Sequence, residues 1–213
     1  MVVLEVYLFV QYVEKKSVDG GDNMIPFPNK KYQIIYADCP WDYGNWSSIK
    51  DEKLARKCGR MMYPTMKIEK ICALPVDDIA DKDCILFLWA VMANLEKAFK
   101  VINSWGFIYK CCAFVWVKTT SKGIYSGLGN WTLGNAELCL LATHKTFPKR
   151  KNPVKQIILS PRGKHSKKPS EVRNKIIELV GDLPRIELFA RSSKDRLFED
   201  ESYKGWDVWG NEC

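Results

Sequence analysis

The sequence has no CxxC pair and only two histidines, His144 and His165, to set beside eight cysteines at positions 39, 58, 72, 84, 111, 112, 139 and 213. That spacing argues against a zinc site. Cys84 and Cys139 lie inside apolar runs, where a free thiol behaves as a small hydrophobe, and this points to a reducing cytoplasm rather than secretion. The histidines read as surface or hydrogen-bonded polar residues, not as bases. Long apolar runs are missing as well. The opening MVVLEVYLFVQYV is interrupted by Glu5, has no basic flank and no small-residue cleavage site, and falls short of the ~20 residues that cross a bilayer. It reads as a strand or a disordered leader, and no membrane partner is expected.

Also absent are an internal repeat, a low-complexity tract and a linker, so the 213 residues read as one domain. Acidic residues vanish from one window: none occurs from Leu138 to Ser170, while Lys145, Lys149, Arg150, Lys151, Lys155, Arg162, Lys164, Lys167 and Lys168 all fall there. A solvated face and a polyanion-facing surface both account for such a run. The formal net charge of +8 agrees with either.

What is present is an ordinary globular mix, 46% hydrophobic and 27% charged, able to bury a core. Six runs bounded by turn residues read as strands: YQIIYA (32–37), CILFLW (84–89), CCAFVWV (111–117), ELCLLAT (137–143), QIILS (156–160) and RIELFA (185–190). Most are continuous rather than alternating, the pattern of a sheet covered on both faces. Two helical patterns lie between them. After Pro169, SEVRNKIIELV places Val172, Ile176, Ile177 and Val180 on one side, with Gly181 and Pro184 as the stop. Residues 93–105 repeat Leu95, Ala98, Phe99, Ile102 and Trp105, ending at Gly106. The alternation predicts an α/β domain, a mostly parallel central sheet with helices on both faces. Residues 42–63 and 118–135 lack periodicity and each follows a strand, where ligands bind in open α/β sheets.

YADCPW (36–41) ends the first of these strands. Asp and Pro are common turn chemistry, and a tryptophan there is ordinary core material. Together the four residues also suit an amine on a nucleobase, whose lone pair is delocalised into the ring. Asp38 offers one hydrogen-bond acceptor and the carbonyl of Cys39 a second. Pro40 holds Cys39 extended, and Trp41 offers a flat stacking face, worth ~1 to 3 kcal/mol per base.

At these residues the chain resembles the MT-A70 family of S-adenosylmethionine-dependent adenine N6-methyltransferases. YADCPW resembles the family's DPPW motif, with cysteine in place of the first proline. LFLW (86–89), FVWVKT ending at Thr119, KKPSE (167–171), RIELFAR (185–191) and WGNE (209–212) follow in the family's order, so that the likeness covers residues 32–212. It implies a Rossmann-like methyltransferase domain over 32–213, with residues 1–31 outside it. It implies that Asp38, Cys39, Pro40 and Trp41 grip adenine. S-adenosylmethionine would be held by Asp38, Lys168, Glu187, Phe189, Arg191, Asn211 and Glu212. On the acceptor side the likeness implies Tyr63, Asn135 and Glu137, with Tyr43 in the same loop as Tyr63, while Lys149 and Arg150 of the basic window would hold flanking phosphates. Each position has a plainer reading: Glu187 as an ion-pair partner of Arg185 or Arg191, Asn211 as a turn residue, Trp209 as core. The compact chain and its WGNE ending resemble bacterial and phage members, which implies a cytoplasmic enzyme with DNA as the acceptor ahead of RNA. A catalytically silent scaffold of the same fold is the alternative, and pairing with a second copy or a related subunit is left open.

Overall fold

All six apolar runs form strands, four of them to within two residues of the expected limits, while those expected at 84–89 and 111–117 run on to 80–91 and 108–120. The computed structural model describes residues 25–42, 65–127, 131–163, 167–190 and 201–210. Strands β1 (Tyr32–Ala37), β2 (Ala80–Val91), β3 (Ile108–Thr120), β4 (Gly123–Ile124), β5 (Ala136–Thr143), β6 (Ile157–Pro161), β7 (Arg185–Leu188) and β8 (Asp207–Trp209) make one sheet. Its order is β4-β3-β5-β2-β1-β7-β8, with β6 also paired to β3. The centre is parallel: β1 lies between β2 and β7, and β8 extends the run. β5 departs from this, running antiparallel to both β2 and β3. Strand order reverses at β1, which opens a crevice at the carboxyl ends of the parallel strands.

The continuous apolar pattern has the expected cause. Every residue from Cys84 to Ala90 in β2 is buried, because helices cover both faces. On one face Leu86, Leu88 and Ala90 share a core with Ile71 of helix α1 (Ile68–Cys72) and with Ala98, Val101 and Ile102 of α2 (Leu95–Ser104). On the other, Phe87 and Trp89 meet Val172, Ile176 and Val180 of α3 (Glu171–Val180), together with Tyr36, Phe114, Trp116 and Cys139.

α2 stops where Gly106 adopts φ +78°, a left-handed conformation that only glycine takes without strain. Phe99, expected on the buried stripe of α2, lies at its rim edge-on to Tyr109, their ring centres 5.0 Å apart. In α3 the buried stripe is Val172, Arg173, Ile176 and Val180. Arg173 therefore takes the place expected for Ile177. The segment 118–135 is more regular than its composition suggested: β3 runs on to Thr120 and turns back through β4, and Gly127 pairs with Gly134. The first 24 residues lie outside the described residues. Residues 25–31 form no strand, but Phe27 packs on Trp209 with ring centres 4.4 Å apart.

Candidate active site

Side-chain alternation explains why four charged residues converge at the carboxyl end of β1. Tyr36, Trp89, Trp116 and Cys139 all point to the α3 face. Successive side chains alternate faces, so Asp38, two residues after Tyr36, falls on that side too, as do Glu137 before Cys139 and Lys118 after Trp116. Lys168, just ahead of α3, closes the group. Its ammonium lies 2.7 Å from Asp38 Oδ2 and 3.2 Å from Glu137 Oε2, while Lys118 lies 2.6 Å from Glu137 Oε1.

These charges are largely withdrawn from water: side-chain exposure is 11% for Lys168 and 7% for Glu137. Burial pushes the Glu137 carboxyl up, but Lys168 and Lys118 outweigh it and hold it below the usual carboxylate range. Burial likewise lowers the Lys168 ammonium, and Asp38 and Glu137 overcome it, leaving that group above the ordinary lysine value. Both stay charged at neutral pH.

The motif itself forms a tight turn. The Trp41 N–H donates to the Cys39 carbonyl at 2.9 Å, closing a γ-turn with Pro40 at its centre. Proline suits that position because its ring fixes φ near the value an inverse γ-turn needs. A carbonyl oxygen has two lone pairs, so the turn leaves one on Cys39. The Cys39 side chain points into the core, where burial, with Asp38 adding to it, raises the thiol well above its ordinary value. The Pro40 carbonyl accepts from Met66 N–H at 2.7 Å, and Trp41 bridges to Met66. The chain therefore leaves the motif after Asp42 and returns beside it.

Trp41 and Glu187 already have partners within the protein. Trp41 is 4% exposed in the core shared with α1 and α2, and its indole N–H donates to the Trp89 carbonyl at 3.2 Å. In this conformation it presents no open stacking face, because its ring fills the space beneath the turn. Glu187 is clasped by Arg173 of α3, both oxygens engaged at 2.6 and 2.8 Å. Arg185, one of the two partners expected for it, turns instead to Asp182 and to the carbonyls of Leu183 and Lys204.

Lys149 and Arg150 do not lie beside the acceptor group. Lys151 N–H bonds the Leu179 carbonyl in the last turn of α3, whereas Lys168 precedes the first turn, and a ten-residue helix is about 15 Å long. The basic window thus crosses the domain, and its middle sits at the amino ends of the parallel strands.

Phe189 follows β7 with φ +60°, a strained conformation for a bulky residue, and its ring lies edge-on to Trp209. A side chain at Gly210 would meet the Ala190 carbonyl at 2.9 Å and Phe189 Cα at 3.1 Å, so glycine is required where β8 passes this strained corner. Asn135 flanks the charged group, its carbonyl accepting from Lys118 N–H. Tyr43, Tyr63, Arg191, Asn211 and Glu212 lie outside the described residues, as does His165. Trp209 is buried, and His144 bonds the Asp81 carbonyl and faces Asp77. Sequence reasoning missed Lys118 and Arg173. The first ends the VWVKT run on the face of Trp116, and the second falls in the apolar stripe of its helix.

Known proteins agree with the resemblance. The MT-A70 sequence model matches residues 32–212. Type II methyltransferase M.MunI from Mycoplasma sp is 36% identical over 210 residues, 92% of this chain and 84% of that protein. The putative N(6)-adenosine-methyltransferase MT-A70-like of Medicago truncatula is 26% identical over 186 residues, 85% of this chain but 26% of the plant protein. A match across almost the whole described domain, with the motif's aspartate and the KKP lysine in contact, places this chain in the MT-A70 family of methyltransferases.

Proposed function

We propose that this protein transfers a methyl group from S-adenosylmethionine to the N6 amine of adenine in nucleic acid, with DNA as the favoured acceptor. The observation that carries the proposal is the meeting of Asp38, Glu137 and Lys168 beside the Pro40 turn, at the carboxyl ends of β1 and β2. Similarity to a type II methyltransferase over most of both chains supports the acceptor class.

Asp38 would accept one hydrogen of the amine and the free lone pair of the Cys39 carbonyl the other. Held this way, the amine turns its lone pair out of the base plane. Asp38 then faces the positive charge that develops on nitrogen, the kind of fixed electrostatic complement that contributes most in a water-poor site. The cofactor's amino-acid end fits the donor set: Lys168 offers a cation to its carboxylate, and Phe189 offers an apolar ring at the end of β7. When bound, S-adenosylmethionine supplies a methyl group on a sulfonium, a leaving group that needs no protonation. The proton that the methylated nitrogen sheds passes to Asp38 or to water once the nitrogen is cationic and acidic, so no strong base is required of the chain, whose contribution is alignment.

Lys168 donates to Asp38 Oδ2 at 2.7 Å. A carboxylate has two acceptor oxygens, so the acceptor amine either shares Asp38 with that ammonium or displaces it, and a carboxylate near Lys168 would favour displacement. Labelled S-adenosylmethionine supplied with adenine-containing DNA and RNA in parallel tests both donor and acceptor. Asp38→Ala is expected to lose at least about 10²–10³ in turnover while cofactor binding, followed by calorimetry, survives. Undiminished turnover in that variant would exclude the assignment.

A further inference from the structure

We propose that Lys118, which lies outside the motif, is a positioning residue that keeps Asp38 releasable by fixing Glu137 as a second seat for the Lys168 ammonium. This rests on the reading of Asp38 as the group that grips the amine.

Lys168 is shared unequally, 2.7 Å from Asp38 and 3.2 Å from Glu137. It can leave Asp38 only if a negative charge waits elsewhere. Glu137 provides that charge, and Lys118 adds to Lys168 itself in keeping it ionised. The Lys118 ammonium takes Oε1 at 2.6 Å and leaves Oε2 toward Lys168. Lys118 is itself fixed, its ammonium 5.1 Å from the centre of the Trp116 ring and its N–H bonded to the Asn135 carbonyl.

The charges facing Glu137 are Lys118 from β3 and Lys168 from the approach to α3, with Asp38 from the end of β1 beyond Lys168. Two carboxylates and two ammoniums make the group neutral. Removing Lys118 leaves a buried carboxylate with one shared cation, and such a group relieves its desolvation by taking up a proton. A protonated Glu137 no longer attracts an ammonium as an ion, so Lys168 stays on Asp38, and the acceptor amine has to share that carboxylate with it.

The pH dependence has a definite sign. The Glu137 carboxyl lies below its ordinary value in the folded protein, so the brace is intact above the usual carboxylate range and is lost as pH falls through the lowered value. Without Lys118 that loss begins at higher pH.

The test compares wild type, Lys118→Met, Lys118→Arg, Glu137→Gln and the Lys118→Met/Glu137→Gln double variant. Protonation of Glu137 is followed by infrared carboxyl absorption, and kcat/KM for an adenine oligonucleotide is measured against pH. In Lys118→Met we expect the Glu137 titration and the acid limb of kcat/KM to move up together by about one unit or more, as a lost partner charge implies. We expect kcat/KM near neutral pH to fall about tenfold, Lys118→Arg to restore both, and the double variant to be no worse than Glu137→Gln alone. Lys118→Gln repeats the comparison where Lys118→Met does not fold. An active wild type with an unmoved titration, an equal loss at every pH, or additive losses in the double variant overturns the proposal alone. A wild type that methylates neither DNA nor RNA overturns the reading of Asp38, and this proposal with it.

Discussion

Cys39 stands where the family pattern has proline, and its surroundings show why the exchange is tolerated. The thiol is buried and pushed up by its burial, so a thiolate has no part at neutral pH. In the proposed reaction the position contributes a carbonyl, and the γ-turn that Pro40 centres orients it. Pro40→Ala frees that turn, which costs about 0.4–1 kcal/mol of stability through the unfolded chain, and turnover is expected to fall as the Cys39 carbonyl loses its fixed direction. Cys39→Pro is expected to keep or raise turnover. Initial rates at saturating acceptor compare the two, and the opposite ranking would give the thiol a role of its own. At this scale Asp38 and Lys168 were legible because each sits in a short motif. Lys118 was not, because its importance comes from a partner 19 residues away in sequence, brought opposite by strand pairing that the string does not display.

Elements are held together by a second buried ion pair. Arg173 clasps Glu187 and is sandwiched between Tyr203, 3.6 Å from its guanidinium, and Tyr36 at 5.8 Å. The pair fastens α3 to β7 and so fixes the strained corner at Phe189. Replacing Arg173 by Met removes the cation that engages both Glu187 oxygens, and breaking a buried pair by removing one partner costs roughly 3–5 kcal/mol. For a chain of this size that is a fall in Tm of about 10 °C. Thermal unfolding checks it, and Arg173→Met with Glu187→Leu should recover much of the loss; no recovery would mean the pair is not the cause. A charged residue at i, i+3, i+4 and i+7 to Ile176, Ile177 and Val180 was a readable sign of a buried partner. The partner's identity was not readable, since sequence proximity favoured Arg185 and Arg191. The direction of β5 was hidden for a related reason: a strand covered on both faces is apolar whichever way it runs.

At the scale of the molecule, the acid-free window turns out to span the sheet rather than to line one site. Thr146 pairs with Asp83 near the amino end of β2, and Lys151 caps the far end of α3. β6 then carries the chain back alongside β3, where Pro161 pairs with Thr119, one residue beyond Lys118. Arg162 follows, stacked on Tyr125 with 5.0 Å between guanidinium and ring centre, and Lys122 lies in the adjoining turn. Between Lys118 and Ser170 the single acidic residue is Glu137, already neutralised by two lysines. For the proposed nucleic-acid acceptor, Arg162 and Lys122 are therefore the candidate phosphate contacts on the Lys118 side of the sheet, while Lys149 and Arg150 lie toward the amino ends of the parallel strands. Charge reversal at Arg162 or Lys122 is expected to weaken oligonucleotide binding several-fold more than reversal at Lys149 or Arg150. Each lost phosphate contact should also flatten the dependence of log K on log salt by about 0.9 for a duplex. Turnover at saturating acceptor should change little, because phosphate contacts set position rather than chemistry. Fluorescence anisotropy over a salt series measures both quantities, and equal losses at the two edges would move the acceptor path away from the β3–β4 turn.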